Sequence, residues 1–215
     1  MASDRPNLTD DQILSIVFDE DPASTPAASA NDLDAVDFEM APIPAEVKDK
    51  HLRIISLAAS GKLDEALPQL VALTQEHPTF AGAFNDLAQT YRLLRREEDA
   101  MGALDLAIEL LTKGASGTPV LIQAEDRKKV LAAAFTQRAM LRRFLGGASE
   151  EADELARVDF ERAAALGSEF AKREAAKLHP IAKLCDSMVS QMMKDYRATL
   201  GGAPGPACSR PSDGN

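Results

Sequence analysis

Apolar positions in this chain recur in two ways, at helical spacing and again at a fixed interval of 34 residues. In the segment LDEALPQLVALTQEHP, Ala66, Leu70 and Leu73 precede Pro78, and adding 34 to the first three gives Ala100, Leu104 and Ala107 in EEDAMGALDLAIEL. Steps of three and four residues place each series on one helix face. Small residues in such a series let two helices approach closely, while larger ones pack between neighbouring pairs. The preceding helices repeat less well: Ile54 matches Ala88 and Leu57 matches Tyr91, but Lys50 matches Phe84. A third copy shows at Phe135, Arg138 and Ala139, then at Ala156, Phe160, Ala163 and Leu166. Its interval from Ala139 to Ala156 is 17 residues where Ala88 to Ala100 is 12, which predicts an insertion in the turn around LGGASEEADE.

The fold class this predicts is all-α, a helical solenoid of three antiparallel helix pairs, about the minimum at which stacked repeats bury a continuous core. Helix A of the first pair is expected near 47–59, a turn at Ser60-Gly61, and helix B near 63–76. Pro68 falls inside that B helix, where it must remove one backbone hydrogen bond and cause a bend. The second pair is expected at about 79–94 and 97–112, with Gly114 as its C-cap. Thr118-Pro119 reads as a cap followed by a first-turn proline, so the third A helix is expected to run from there to about Leu145, its first turns projecting beyond the stack. Ser149 opens the last B helix, Gly167 closes it, and Ser168 caps a short helix through Leu178. Pro180 then starts a final helix whose Ile181, Leu184, Cys185, Met188, Met192 and Tyr196 form one apolar stripe. That stripe is expected to cover the greasy face left at the end of the stack, making a C-terminal capping helix.

Outside the repeats the pattern changes. Thr9-Asp10-Asp11-Gln12 has the capping-box form and leads into Ile13, Leu14, Ile16, Val17 and Phe18, a short amphipathic helix that must dock on something to be stable. Its own repeat domain, the peptide groove and a partner are the candidate surfaces. Residues 21–46, rich in Ala, Pro, Ser and Asp, read as a flexible acidic linker. Leu33, Val36, Phe38 and Met40 interrupt it, so part can lie extended along the superhelix. The expected organisation is thus a leader over 1–46, a repeat domain over 47–199 with repeats at about 47–78, 81–114 and 132–167 and capping helices at 169–198, and a disordered tail over 200–215.

Charge sharpens this division. The formal charge of -10 resides wholly in residues 1–46, which hold 11 acids against Arg5 alone, leaving 23 acids and 23 bases in the remainder. A balanced repeat surface lacks the clustered cationic excess that nucleic acid requires. Arg95-Arg96, Arg127-Lys128-Lys129 and Arg142-Arg143 read as solvated helix faces, and they are the places to look if the ligand is an acidic peptide. Two cysteines make no disulfide framework and no apolar leader reads as a signal peptide, so a cytosolic location is expected. No apolar run reaches the length of a membrane span.

Catalytic chemistry finds little support. His51, His77 and His179 are scattered without metal-ligand spacing, and His77 and His179 each precede a proline as helix-end residues. The Gly pairs at 146–147 and 201–202 lack the Lys-Ser or Lys-Thr of a phosphate loop, and no GxSxG motif exposes a serine. Cys185 reads as a small buried hydrophobe, and Cys208 as an exposed thiol. No enzyme, metal or cofactor is expected. What remains is recognition, because stacked helix pairs curve and their A helices line the concave side. Asn85, Gln89, Arg92, Gln137, Arg138 and Arg142 are the candidate peptide-binding residues: Asn and Gln can hold an extended backbone, and Arg can grip a carboxylate through two parallel bonds.

The 34-residue register over 47–166 resembles the tetratricopeptide repeat superfamily. A closer resemblance rests on two segments outside the generic positions, DDQILSIVFDEDP at 10–22 and ARVDFERAAALGSEFAKREAAKLHPIAKLCDSMVSQMM at 156–193. In that order they are similar to the tetratricopeptide repeat protein 36 family, also described as Hsp70-binding. The resemblance implies a cytosolic interaction protein with chaperone connections and a role in protecting a metabolic enzyme of tyrosine breakdown. Related co-chaperones hold the acidic tail of Hsp70 or Hsp90 in a clamp of Lys and Asn in the first repeat, Asn in the second, and Lys and Arg in the third. Here those positions read His51 and Ile55, then Asp86, then Ala133 and Gln137. Cationic contacts are missing and Asp86 would repel a carboxylate, so Hsp70 binding is expected in another mode. The expected function is a non-catalytic adaptor or co-chaperone-like protein. A dedicated stabiliser of one client enzyme, and a ciliary or trafficking scaffold, are the alternatives.

Overall fold

The computed structural model describes residues 38–147 and 149–201. The expected leader helix, the linker through residue 37 with Leu33 and Val36, Cys208 and the tail beyond 201 lie outside the described residues. Helices α1 (Ala45–Ala59) and α2 (Leu63–Glu76) form the first hairpin, α3 (Ala81–Leu93) and α4 (Glu97–Lys113) the second, and α5 (Arg127–Gly146) and α6 (Glu150–Ala165) the third. Helices α7 (Glu169–Leu178) and α8 (Pro180–Gly201) follow. Each hairpin packs on the next, α2 on α3 and α4 on α5, and α3 also meets α5 along the inner wall. The chain is a helical solenoid ending in a capping helix.

The register seen in the sequence is the register of burial. Ala66, Leu70 and Leu73 are fully buried, as are Ala100, Leu104 and Ala107; Ala156 and Ala163 are too, with Phe160 at 1% exposure. The A helices contribute Ile54, Ala88 and Ala139 to the same core. Pro68 lies inside α2 with its ring exposed. His77 and His179 are C-cap residues of α2 and α7.

The turns obey the repeat as closely as the core. At the end of α1 the amides of Ser60, Gly61 and Lys62 donate to the carbonyls of Ser56, Ala58 and Leu57; Leu94, Arg95 and Arg96 donate in the same pattern to Thr90, Arg92 and Tyr91. The end of α6 repeats the pattern with Leu166, Gly167 and Ser168. The middle residue of each set is left-handed: Gly61 has φ +84° and Gly167 φ +97°, but the second hairpin places Arg95 there at φ +60°. A side chain in that conformation costs roughly 1–2 kcal/mol, which glycine avoids.

Three expectations are corrected. The third A helix starts at Arg127, not Thr118: Val120–Leu121 (β2) instead pairs in parallel with Met40–Ala41 (β1), followed by a 3-10 turn at Ala124–Asp126. Val120 is fully buried and Ile122 is 4% exposed, so this apolar run buries more as a strand than as a helix turn projecting into water. Phe38 and Met40 thus belong to an extended segment laid on the solenoid. Gly114, left-handed at φ +75°, leaves room for it, since a Cβ there would lie 2.5 Å from that of Phe38. The second correction concerns the insertion. The turn keeps its length, and the extra residues prolong α5 at its end and α6 at its start. Ser149 caps α6 by accepting a hydrogen bond from the Ala152 amide at 3.5 Å.

The third correction concerns the end of the stack. Ala171, Ala175 and Leu178 of α7 are buried against the core, so α7 does the covering. The α8 stripe faces solvent, with Ile181, Leu184, Met188, Met192 and Tyr196 all more than half exposed and Cys185 exposed. A ten-residue helix suffices to close the last hairpin, which leaves α8 nothing to cover.

Restoring the repeat's own turn residue should stabilise the fold. Arg95→Gly is expected to raise the unfolding free energy in urea by about 0.5–1 kcal/mol, since relief of left-handed strain exceeds the entropy glycine loses; an unchanged or lower value would show that the turn carries no strain.

Candidate peptide groove between the A helices

The inner wall is made by α3 and α5. Helical spacing sets Asn85, Gln89 and Arg92 along one side of α3. Gln137 reaches across from α5 and donates its Nε2 hydrogen to Asn85 Oδ1 at 3.0 Å. That bond joins the two helices at one end of the groove. The Gln137 Oε1 is buried without a partner among the described residues. Gln89 is exposed and Arg92 half-buried, and neither has an ion pair or side-chain hydrogen bond among the described residues.

Arg138 and Arg142 are committed elsewhere. Asp159 of α6 is fully buried, and Arg138 grips it with a fork, Nε to Oδ2 at 2.8 Å and Nη2 to Oδ1 at 2.7 Å. A third nitrogen, Nη1, holds Asp105 of α4 at 2.7 Å. Arg142 adds a bond to Asp159 at 2.6 Å and one to the Leu155 carbonyl at 3.1 Å. Burial disfavours the Arg138 charge, but the bonds to Asp159 and Asp105 outweigh it and hold its proton more tightly than usual. For Arg142 burial prevails and lowers the pKa. This network ties α4, α5 and α6 together, and removing one charge would leave others buried and unpaired.

Two of the clamp positions, His51 and Asp86, pair with each other. His51 Nε2 lies 2.8 Å from Asp86 Oδ2, and the imidazole meets the Phe80 ring edge-on at 4.9 Å between centroids. Where a clamp would receive a ligand's carboxylate, this chain supplies its own.

Beyond Gln89 the groove opens into a pocket lined by Arg92, Leu93, Arg95, Glu97, Met140, Leu141 and Phe144. Leu93 is 54% and Phe144 62% exposed, and with Met140 they form one apolar patch at the pocket. Arg92 and Arg95 stand beside them with no ionic partner among the described residues. The wall can therefore hydrogen-bond a peptide through Gln89, bury apolar side chains in the pocket and hold an acid at its rim. Arg92 is the predicted residue that lies in it. Leu93, Met140 and Phe144 were missed, although each is an apolar residue off the core register.

A second apolar surface is the α8 stripe. The first turn of α8 is anchored by Lys183 to Asp153 of α6 at 2.7 Å, and Arg143 reaches Asp153 at 3.3 Å and Glu174 at 3.7 Å. The Lys183 hydrogen bond is the chief cause that lowers the Asp153 pKa.

Among the described residues, no three or more His, Cys, Asp or Glu are grouped to hold a metal ion, and no helix is long and apolar enough to cross a membrane. A stack of helix pairs with an open inner wall is a scaffold for binding another protein. Comparison with known proteins specifies the scaffold further. The chain is 40% identical over 153 residues to tetratricopeptide repeat protein 36 of Danio rerio, covering 71% of this chain and 72% of that one. It is 35% identical over 150 residues to the Homo sapiens protein of the same name, covering 70% of each. The Drosophila melanogaster homolog is 35% identical over 147 residues, covering 67% of this chain and 68% of that one. No protein-family model matches the chain. It belongs to the tetratricopeptide repeat protein 36 family.

The Asp153 anchor has a pH signature. With its folded pKa depressed below the ordinary 3.8, Asp153 contributes stability above that value and loses it as pH falls through the folded pKa. Lys183→Ala should lower the unfolding free energy at pH 7 by about 0.5–1 kcal/mol and by less at pH 2; an equal loss at both would assign the effect to packing.

Proposed function

We propose that this protein is a cytosolic co-chaperone-like adaptor that presents the α3–α5 face to a protein partner, with Hsp70 as that partner. The observation that carries the reading is the pocket at Leu93, Met140 and Phe144 with Arg92 and Arg95 at its rim. It is an apolar anchor site with cationic edges, suited to a folded surface or an amphipathic helix. The His51–Asp86 pair supports attachment to the body of Hsp70 rather than to its acidic terminus. The family resemblance supports the chaperone connection.

A second reading, dedicated stabilisation of one metabolic enzyme such as one of tyrosine breakdown, is favoured by the α8 stripe, because lasting interfaces are more apolar than transient ones. It would appear as one abundant stoichiometric partner whose lifetime shortens when this protein is removed.

Capture of purified Hsp70, with and without its terminal acidic motif, tests the leading reading. Both forms should bind equally, and Arg92→Glu with Phe144→Asp should weaken binding about tenfold or more. Failure of both forms to bind removes Hsp70 as the partner, and loss on removing the motif would restore the tail clamp.

A further inference from the structure

We propose that residues 10–21 of this protein dock intramolecularly in the pocket formed by Leu93, Met140 and Phe144, competing with the external partner for the same surface. The inference rests on the α3–α5 face being a ligand-binding surface, and it adds an occupant and a means of regulation.

Three observations carry it. The first is chemical pattern. At helical spacing Ile13, Leu14, Val17 and Phe18 fall on one face, with Ser15, Ile16 and Asp19 on the other and Asp11 at the edge between them. Acids stand at both ends of the segment, Asp10 and Asp11 before the apolar run and Asp19, Glu20 and Asp21 after it. The pocket offers the complement, exposed Leu93, Met140 and Phe144 beside Arg92 and Arg95. Glu97 also lines the mouth and disfavours an acid on its own side.

The second observation is charge available for pairing. Arg92 and Arg95 have no ionic partner among the described residues. On the other exposed apolar surface, Lys183 is already held by Asp153 at 2.7 Å, while Lys194 and Arg197 lie at the far half of α8 on either side of Asp195. An acidic amphipathic segment therefore finds better electrostatic reward at the pocket than along the start of α8.

The third is reach. The described chain begins at Phe38, whose ring lies 5.5 Å from the guanidinium carbon of Arg127, the first residue of α5. Met140 and Phe144 lie further along the same helix, a span of about 20–25 Å at 1.5 Å per residue. Residues 22–37 connect the segment to Phe38, and a coil of about 16 small residues has a root-mean-square extent of about 20–25 Å. A tether whose natural extent matches the span gives the highest effective concentration, in the millimolar range, so even weak docking would be populated.

The test uses the full chain with Cys185→Ser, Cys208→Ser and a nitroxide on Ser15→Cys, reading the methyl signals of the methionines. The Met140 methyl should be lost to paramagnetic broadening while Met188 and Met192 keep their intensity, and Phe18→Asp or Arg92→Glu with Arg95→Glu should restore it. An unbroadened Met140, or broadening at Met188 and Met192 instead, would overturn the proposal. So would broadening that persists when spin-labelled chains are mixed with separate isotope-labelled chains, since it would place a second copy's leader in the pocket. Hsp70 capture without Met140 broadening would sink this inference alone; broadening without capture would sink only the choice of partner.

Discussion

One position in each B helix constrains everything around it. Ala66, Ala100 and Ala156 occupy the same place in successive hairpins, and none exposes any surface. A methyl group there lets helix backbones approach closely, and the larger side chains one turn on, Leu70, Leu104 and Phe160, then fill the space between neighbours. Because every hairpin meets the next through the same seam, the offset between hairpins is set by geometry repeated along the chain. The curvature of the inner wall follows from that offset.

The seam also decides which side chains are free to bind. It occupies one face of each A helix and leaves the opposite face of α3 and α5 without a packing duty. Between them, Arg138, Asp159 and Asp105 act as a polar rivet across α4, α5 and α6. A carboxylate with no exposed surface is tolerated because two arginines satisfy it. The rivet stiffens the wall near Gln137, while the apolar pocket lies about a turn further along α5, at Met140 and Phe144. Phe144 stands level with Leu93, the last residue of α3, and both are more than half exposed at the mouth of the pocket.

Local chemistry made most of the fold legible in advance. The bounds of α1 to α4 follow from spacing plus end signals, and Gly114, Ser149, Gly167 and Ser168 all act where their residue types place them. What escaped depended on distant partners. Val120 and Leu121 looked like the start of a helix after Pro119, because their strand partner Met40–Ala41 lies far away in sequence. Arg138 and Arg142 looked available because Asp159, on another helix, could not be seen to claim them. The α8 stripe showed that one face was apolar but not whether anything would cover it. Of the candidate groove, the polar residues of α3 were readable from repeat position. The apolar pocket was not, because it forms only where the ends of α3 and α5, distant in sequence, are brought side by side.

The seam itself is open to direct measurement. Urea unfolding of Ala100→Leu, beside Leu106→Ala on the exposed face of the same helix, separates tight repeat packing from mere helical content. The account predicts that Ala100→Leu lowers stability by about 1–3 kcal/mol and that Leu106→Ala changes it by no more than about 0.5 kcal/mol. If Ala100→Leu unfolds at the same urea concentration as the parent protein, the hairpins do not meet through a close-packed seam, and the derivation of the wall from it is wrong.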